Sequence, residues 1–255
     1  MGMRQAMGST WWRMRVLRIR VHRPGRVRLT GRQWMWLVVF AATTVLVAVG
    51  VGLPSPPRTV DWTAVATARS RLARLTVLDR RPAHDVGYDR DAFGPAWTDA
   101  ADVRGGGNSC DTRNDILSRD LAVTARIAIE SCPRAVAAGT FVSPYTGRPI
   151  SFRRGRGSAA VQIDHVVPLS YAWDLGAAQW PRPRRWAFAN DPSNLLAVDA
   201  DSNQNKSDSE PARWMPRLRG FHCQYAIAFI RVLDGYRLPV DAPSRSVLAT
   251  ALATC

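Results

Sequence analysis

Lysine is almost missing from this chain: of its 35 lysine and arginine residues, only Lys206 is a lysine. The two cations are not interchangeable where a compact point charge is wanted, so the position that kept its lysine is a first candidate for a site. Cysteine is scarce as well. The four present, Cys110, Cys132, Cys223 and Cys255, include no C-x-x-C pair, which argues against a zinc knuckle. Residues 1–33 carry nine arginines and no acidic residue. No internal repeat is evident, and neither is a recognition helix or zinc finger that would read bases.

Placement of the charge matters more than its total. The formal net charge is +15, but with the nine arginines of 1–33 set aside, 26 cations face all 20 acids, a balance of about +6. That mildly basic remainder suits a polyanionic substrate. Next to the basic segment, Trp34–Leu53 runs about twenty residues without a charge, long enough to span a bilayer as a helix. The positive-inside rule then puts residues 1–33 in the cytoplasm and 54–255 outside, with Trp34 and Trp36 at the interface. A cleaved signal peptide is the rival, since Ala48-Val49-Gly50 is a passable small-x-small site, although a 33-residue charged lead is long for a signal. Export would expose the four cysteines to an oxidising compartment, where three pairings into two disulfides are open. Cys110–Cys132 with Cys223–Cys255 is favoured. Residues 222–235 and 243–255 both read as helices, and antiparallel packing would bring Cys223 beside Cys255. A single helix over 111–131 would hold its ends about 30 Å apart, too far for a disulfide. The chain should therefore turn back after a short helix, with Ala125, Ile127 and Ile129 beginning a return strand.

After a stiff Pro-rich linker (54–60), helical spacing of Trp62, Val65, Leu72, Leu75 and Leu78 predicts a packing helix over 61–79, capped by Asp61. Residues 87–97 read as a loop with aromatic anchors, and Gly105-Gly106-Gly107 as a flexible break. Residues 159–167 read as a strand ended by Pro168. An insertion over 170–193 carries a helix around Tyr171–Gln179 and a turn at P-R-P-R-R-W. Residues 194–198 read as a second strand, and 200–209 start a helix capped by Asp199 or Asp201. The expected class is α+β: a strand–strand–helix core at about 159–213, inside a mostly helical domain over 110–255, with 61–109 as helical lead and loop.

The chemistry gathers on Asp164-His165, at the end of the apolar run Q-I-D-H-V-V-P-L (162–169), with Asn194, Asn203 and Lys206 downstream. An Asp-His pair sets a metal ligand beside a general base. An asparagine and a lysine can complete a metal shell and hold a phosphate. D-H-V-V-P-L, N-L-L-A-V and N-x-x-K together resemble the HNH endonucleases, whose catalytic unit is the ββα-metal fold. The flanks C-D-T-R-N-D-I-L-S-R-D-L (110–121), S-P-Y-T-G (143–147), F-A-N-D-P-S-N-L (188–195) and N-K-S-D-S-E-P-A-R-W-M-P (205–216) are similar to a secreted branch related to the C-terminal domain of GmrSD-type restriction endonucleases. G-Y-D-R-D-A-F-G-P-A-W (87–97) is similar to that secreted group too, and the resemblance covers roughly 85–255.

The resemblance implies a metal-dependent hydrolysis of DNA, or of RNA as well, with little sequence preference, at the outer face of the membrane or in secreted form. His165 is then the general base, its near-neutral pKa suiting the role. Asp164 and Asn203 hold one divalent ion, Mg²⁺ or else Mn²⁺, through hard oxygen donors. Asn194 steadies the histidine loop. The family's last motif position is often histidine, and here it is Asn203, which remains metal-competent. Lys206 is expected at a phosphate. Arg153, Arg154 and Arg156 with Arg182, Arg184 and Arg185 could track phosphates, and Trp180 and Trp186 could stack on bases, though a solvated basic loop is equally consistent. Asp208, Glu210, His84 and His222 read as cap, surface or structural residues. An EF-hand-like spacing of Asp199, Asp201, Asn203, Asn205 and Glu210 is set aside because Gln204 stands where that loop needs glycine. The competing class is a noncatalytic nucleic-acid or envelope binding module on a degenerate HNH fold. No protein partner is evident.

Overall fold

In a computed structural model, residues 30–36, 38, 60–85 and 87–255 are described. The chain divides into a unit over Met1–Arg58 and one over Thr59–Cys255. Of the first, residues 31–36 and 38 are helical. Most of the proposed membrane span 34–53, the basic segment and the Pro-rich linker lie outside the described residues, among which no helix is long and apolar enough to cross a membrane.

The second unit is a mixed α/β fold with three small sheets. Helix α1 (Trp62–Arg74) is capped by Asp61, whose carboxylate accepts from Ala64 N. It stops five residues before the expected end because β1 (Val77–Leu78) leaves to pair in parallel with β7 (Val240–Asp241). Helix α2 (Thr112–Asp120), capped by Asp111, is short as the disulfide demands. The chain then returns as β2 (Ala122–Ile129) against β3 (Cys132–Val142), and Cys110 bonds Cys132. With β4 (Pro149–Arg153) these strands make a three-stranded antiparallel sheet in the order β2-β3-β4. The domain thus holds more sheet than expected, since only the return strand had a sequence signal.

The third sheet pairs β5 (Val161–His165) with β6 (Leu195–Asp199), antiparallel, Asp164 opposite Leu196 and His165 opposite Leu195. Helix α3 (Leu169–Asp174) is shorter than expected, and Gly176, at φ 118°, breaks the chain before a separate 3₁₀ turn at Ala177–Gln179. The expected turn at P-R-P-R-R-W is instead the start of helix α4 (Arg182–Asn190). Proline fits a first helical turn, where its missing N–H would have no intrahelical acceptor. Asp199 caps α5 (Ala200–Lys206), accepting from Ser202 N. That helix removes the calcium-loop geometry. Helices α6 (His222–Tyr236) and α7 (Ala242–Ala253) run so that Cys223 and Cys255 meet in a disulfide.

Two apolar clusters flank the β5–β6 ribbon. Val161, Ile163, Leu195 and Ala197 pack with Ile116, Leu117, Val136 and Phe152. The larger cluster gathers Leu72, Phe93, Tyr145, Tyr171, Phe188, Tyr225 and Phe229. Each such fully buried aliphatic or aromatic side chain contributes roughly 1.5–3 kcal/mol, so the ribbon is held from both sides. The C-terminus of α2 locks its edge: Arg119 donates to Leu195 O at 2.7 Å and Asp120 accepts from Ala197 N at 2.9 Å.

Candidate active site

Alternation along β5 sends His165 to the side of Val161 and Ile163, and Asp164 with Gln162 to the other side, over α5. Asn203 and Lys206, three residues apart on α5, share the face that meets them. Lys206 Nζ donates to Asp164 Oδ1 at 2.8 Å and to His165 O at 2.7 Å. Asn203 Nδ2 donates to Gln162 Oε1 at 2.7 Å. Lys206 is fully buried and Asp164 nearly so. The expected phosphate contact by Lys206 is therefore not what the fold provides. Its ammonium is turned inward as the counter-charge of Asp164, because the phase of a short capped helix points Lys206 at the strand.

The second oxygen of Asp164 is also engaged. Tyr145, buried in the S-P-Y-T-G turn, donates its hydroxyl to Asp164 Oδ2 at 2.5 Å. That turn is closed by Gly147 N donating to Ser143 O at 2.8 Å, with Gly147 at φ 74°, a backbone state glycine adopts without strain. Ser143 Oγ and Thr146 Oγ1 in turn donate to Asp199 Oδ2, so one turn braces both the site carboxylate and the cap of α5. Burial pushes the Asp164 carboxyl above its ordinary value, and the Lys206 ammonium and Tyr145 hydroxyl pull it back. Burial and the neighbouring Asp164 raise the Tyr145 hydroxyl well above its usual range, so it stays a donor. At Asp199 burial works upward, but the hydrogen bonds from Ser143, Ser202 and Thr146 prevail and hold the carboxyl low.

His165 is buried, its ring stacked on Trp97 at 5.7 Å between centroids and 9° between planes. Its Nε2 lies 2.9 Å from Ala189 O. A carbonyl only accepts, so Nε2 carries the proton and Nδ1 holds the free lone pair. Burial lowers the His165 pKa to about 3, the Ala189 carbonyl opposing and Arg90 and Lys206 adding to the fall. Asn194, fully buried, accepts from Val167 N through Oδ1 at 2.8 Å and donates to Val167 O through Nδ2. It thereby fixes the strand end that carries His165.

Asp164, His165 and Asn203 line one open cleft of about 360 Å³ with Tyr88, Arg90, Ser170 and Asp208. A smaller, more apolar cavity, lined by Arg90, Phe93, Trp97, Leu169 and Ala189, touches the same histidine. No group of three His, Cys, Asp or Glu side chains among the described residues could hold a metal. Asp164 and Asn203 are oxygen donors lining the cleft, with Ser170 and Asp208 beside them. Asn203 donates through its NH₂ to Gln162 and its Oδ1 has no hydrogen-bond partner among the described residues, and each Asp164 oxygen retains a lone pair beyond its one contact. That donor set fits a hard divalent ion.

The C-terminal domain model of the GmrSD restriction endonucleases matches residues 111–249. The chain belongs to this family. It is also similar to an uncharacterized secreted protein of Arthroderma benhamiae, 37% identical over 226 residues, which cover 88% of this chain and all of that one. No solved structure matches. Asp164, His165, Asn194, Asn203 and Lys206 all fall within the GmrSD-matched region, as does Tyr145, whereas Tyr88, Arg90 and Trp97 precede it.

The arginines suggested for a phosphate path divide between exposed and internally bonded positions. None of Arg153, Arg154, Arg156, Arg184 and Arg185 lines the cleft. Arg154 donates to Val136 O and Asn114 Oδ1. Arg184 donates to Tyr236 O and lies over Trp180, which packs on Phe188 and Tyr236. Arg185 donates to Ala92 O and Trp180 O. Arg153, Arg156 and Arg182 are exposed, Arg182 over the ring of Trp186. Glu210, read as a surface residue, is buried and paired with Arg81 at 2.7 Å, and Arg81 also holds buried Asp174 at 2.7 Å. Sequence reasoning missed Tyr145, Arg81, Arg90 and Trp97 as site or bracing residues. The quoted S-P-Y-T-G and G-Y-D-R-D-A-F-G-P-A-W segments were the signal for three of them.

Proposed function

We propose that this protein is a metal-dependent HNH endonuclease acting on DNA outside the cytoplasm, with β5, β6 and α5 as its ββα-metal core. The observation that carries the reading is the pairing of a neutral, lone-pair-bearing His165 with Asp164 and Asn203 around one cleft. Family membership, two disulfides and the secreted relative support it.

Asp164 and Asn203 would hold the ion, which would supply charge neutralisation to the phosphodiester. His165 takes the proton of the attacking water at Nδ1, its Nε2–H anchored on Ala189 O. An anionic phosphodiester nearby favours the protonated imidazole, so substrate moves its pKa upward from the depressed value of the free protein. Trp97 fixes the plane of the ring and Asn194 fixes the backbone behind it. Tyr145 and Lys206 hold the Asp164 carboxylate in place and oppose the upward push of burial on its pKa.

The test is nicking of supercoiled plasmid by the disulfide-intact chain in Mg²⁺, in Mn²⁺ and in chelator, with Asp164→Asn alongside. Nicking that needs the ion and fails in the variant is expected. A folded protein that binds DNA and cleaves neither DNA nor RNA with either ion would make this a binding module on a degenerate nuclease fold.

A further inference from the structure

A cleft that takes a phosphodiester needs an accessible cation, and the burial of Lys206 leaves that position to another residue. Arg90 is the basic side chain that lines both cavities touching His165. It is exposed, and no hydrogen bond or ion pair engages its guanidinium among the described residues. The adjacent Asp89 does not neutralise it by contact, since its carboxylate caps the turn by accepting from Asp91 N at 2.9 Å.

The turn beneath Arg90 is held hard in place. The 3₁₀ segment Arg90–Phe93 buries Phe93 in the larger core. Ala92 O accepts from Arg185 Nε at 2.9 Å. Gly94, at φ 86°, lies so close to Trp186 that an added Cβ would stand 2.2 Å from the indole nitrogen. Three contacts from α4 and the core thus fix the backbone of a segment whose exposed Arg90 lines both cavities at the histidine.

We propose that Arg90 binds the phosphodiester beside His165, as the cation that contacts the scissile or an adjoining phosphate. This rests on the nuclease reading for its consequence in cleavage, but the phosphate contact itself can be read without catalysis. A planar guanidinium offers paired donors to two phosphate oxygens, and its site in front of the family-matched region makes residues 87–97 part of the working cleft.

The experiment compares the full, disulfide-intact chain with Arg90→Gln and Arg90→Lys in two assays. The first measures duplex DNA binding in chelator across a salt series. The second measures plasmid nicking with Mg²⁺. Arg90→Gln is expected to melt like the wild type, to make the salt slope shallower by about 0.9, the share of one phosphate contact, and to lose roughly 10²-fold in kcat/KM. Arg90→Lys should keep the slope and recover part of the rate. An unchanged slope in Arg90→Gln overturns the proposal whatever happens to cleavage, as does a lowered melting temperature that accounts for the loss. If the wild type cleaves nothing while Arg90→Gln still lowers the slope, the phosphate contact stands and the nuclease reading falls.

Discussion

Removing the ammonium of Lys206 should damage the fold before it damages catalysis. The side chain is fully buried, and its partners are Asp164 Oδ1 at 2.8 Å and the His165 carbonyl at 2.7 Å. Lys206→Ala leaves a buried carboxylate with only the Tyr145 hydroxyl to satisfy it. Breaking a buried pair from one side costs about 3–5 kcal/mol. In a domain of this size each kcal/mol shifts the melting temperature by about 2–4 °C, so calorimetry should find a fall of roughly 6–20 °C. The loss carries a pH signature. Without its counter-charge the folded-state pKa of Asp164 rises further, and a raised carboxyl costs stability as pH climbs from the unfolded value through the folded one. The deficit of Lys206→Ala should therefore be smallest near pH 4 and grow toward neutrality. Lys206→Met combined with Asp164→Asn should recover much of the deficit, because it removes both charges from the interior. A Lys206→Ala protein that melts with the wild type at pH 7 and loses only DNA affinity would refute this, and would return Lys206 to the phosphate.

Three further outcomes follow from the same geometry. Tyr145→Phe removes a charge-assisted hydrogen bond worth about 1.5–3 kcal/mol; melting should drop accordingly and more metal should be needed for half-maximal nicking, whereas an unchanged metal dependence would detach Tyr145 from the site. His165 stays neutral in the fold until about pH 3, while the unfolded imidazole takes up a proton below about pH 6.5. Wild-type stability should therefore fall relative to His165→Gln as pH drops from 6.5 toward 3, and a pH-independent difference would contradict the burial argument. Replacing Cys223 and Cys255 together by serine opens a link spanning 32 positions, which should cost roughly 3–4 kcal/mol by chain entropy; equal melting of oxidised wild type and the double variant would argue against it.

What the sequence made legible was local. The Asp199 cap, the strand at 161–165 and the strand at 195–199 carry their own signals in polar caps and apolar runs, and the return strand after α2 followed from the disulfide it had to close. What stayed hidden depends on contacts between distant segments. The sequence put Asn203 and Lys206 in a helix starting over 200–209 but did not say whether Lys206 met solvent or strand. Tyr145 reaches Asp164 from nineteen residues away through a tight turn. Arg81 gathers Asp174 and Glu210 across 93 and 129 positions, so nothing near Glu210 marked it as buried. Arg184 and Arg185 of α4 looked like part of a nucleic-acid rim because composition cannot tell a guanidinium bonded to backbone carbonyls from one facing water.

The central claim is that His165 is the base of a metal-dependent phosphodiesterase, and the most direct measurement is single-turnover plasmid nicking in Mg²⁺ by wild type and His165→Ala, each first shown to melt cooperatively with both disulfides formed. The account predicts nicking by the wild type that chelator stops and a loss of at least about 10²-fold in His165→Ala. Nicking at the wild-type rate by folded His165→Ala would contradict it.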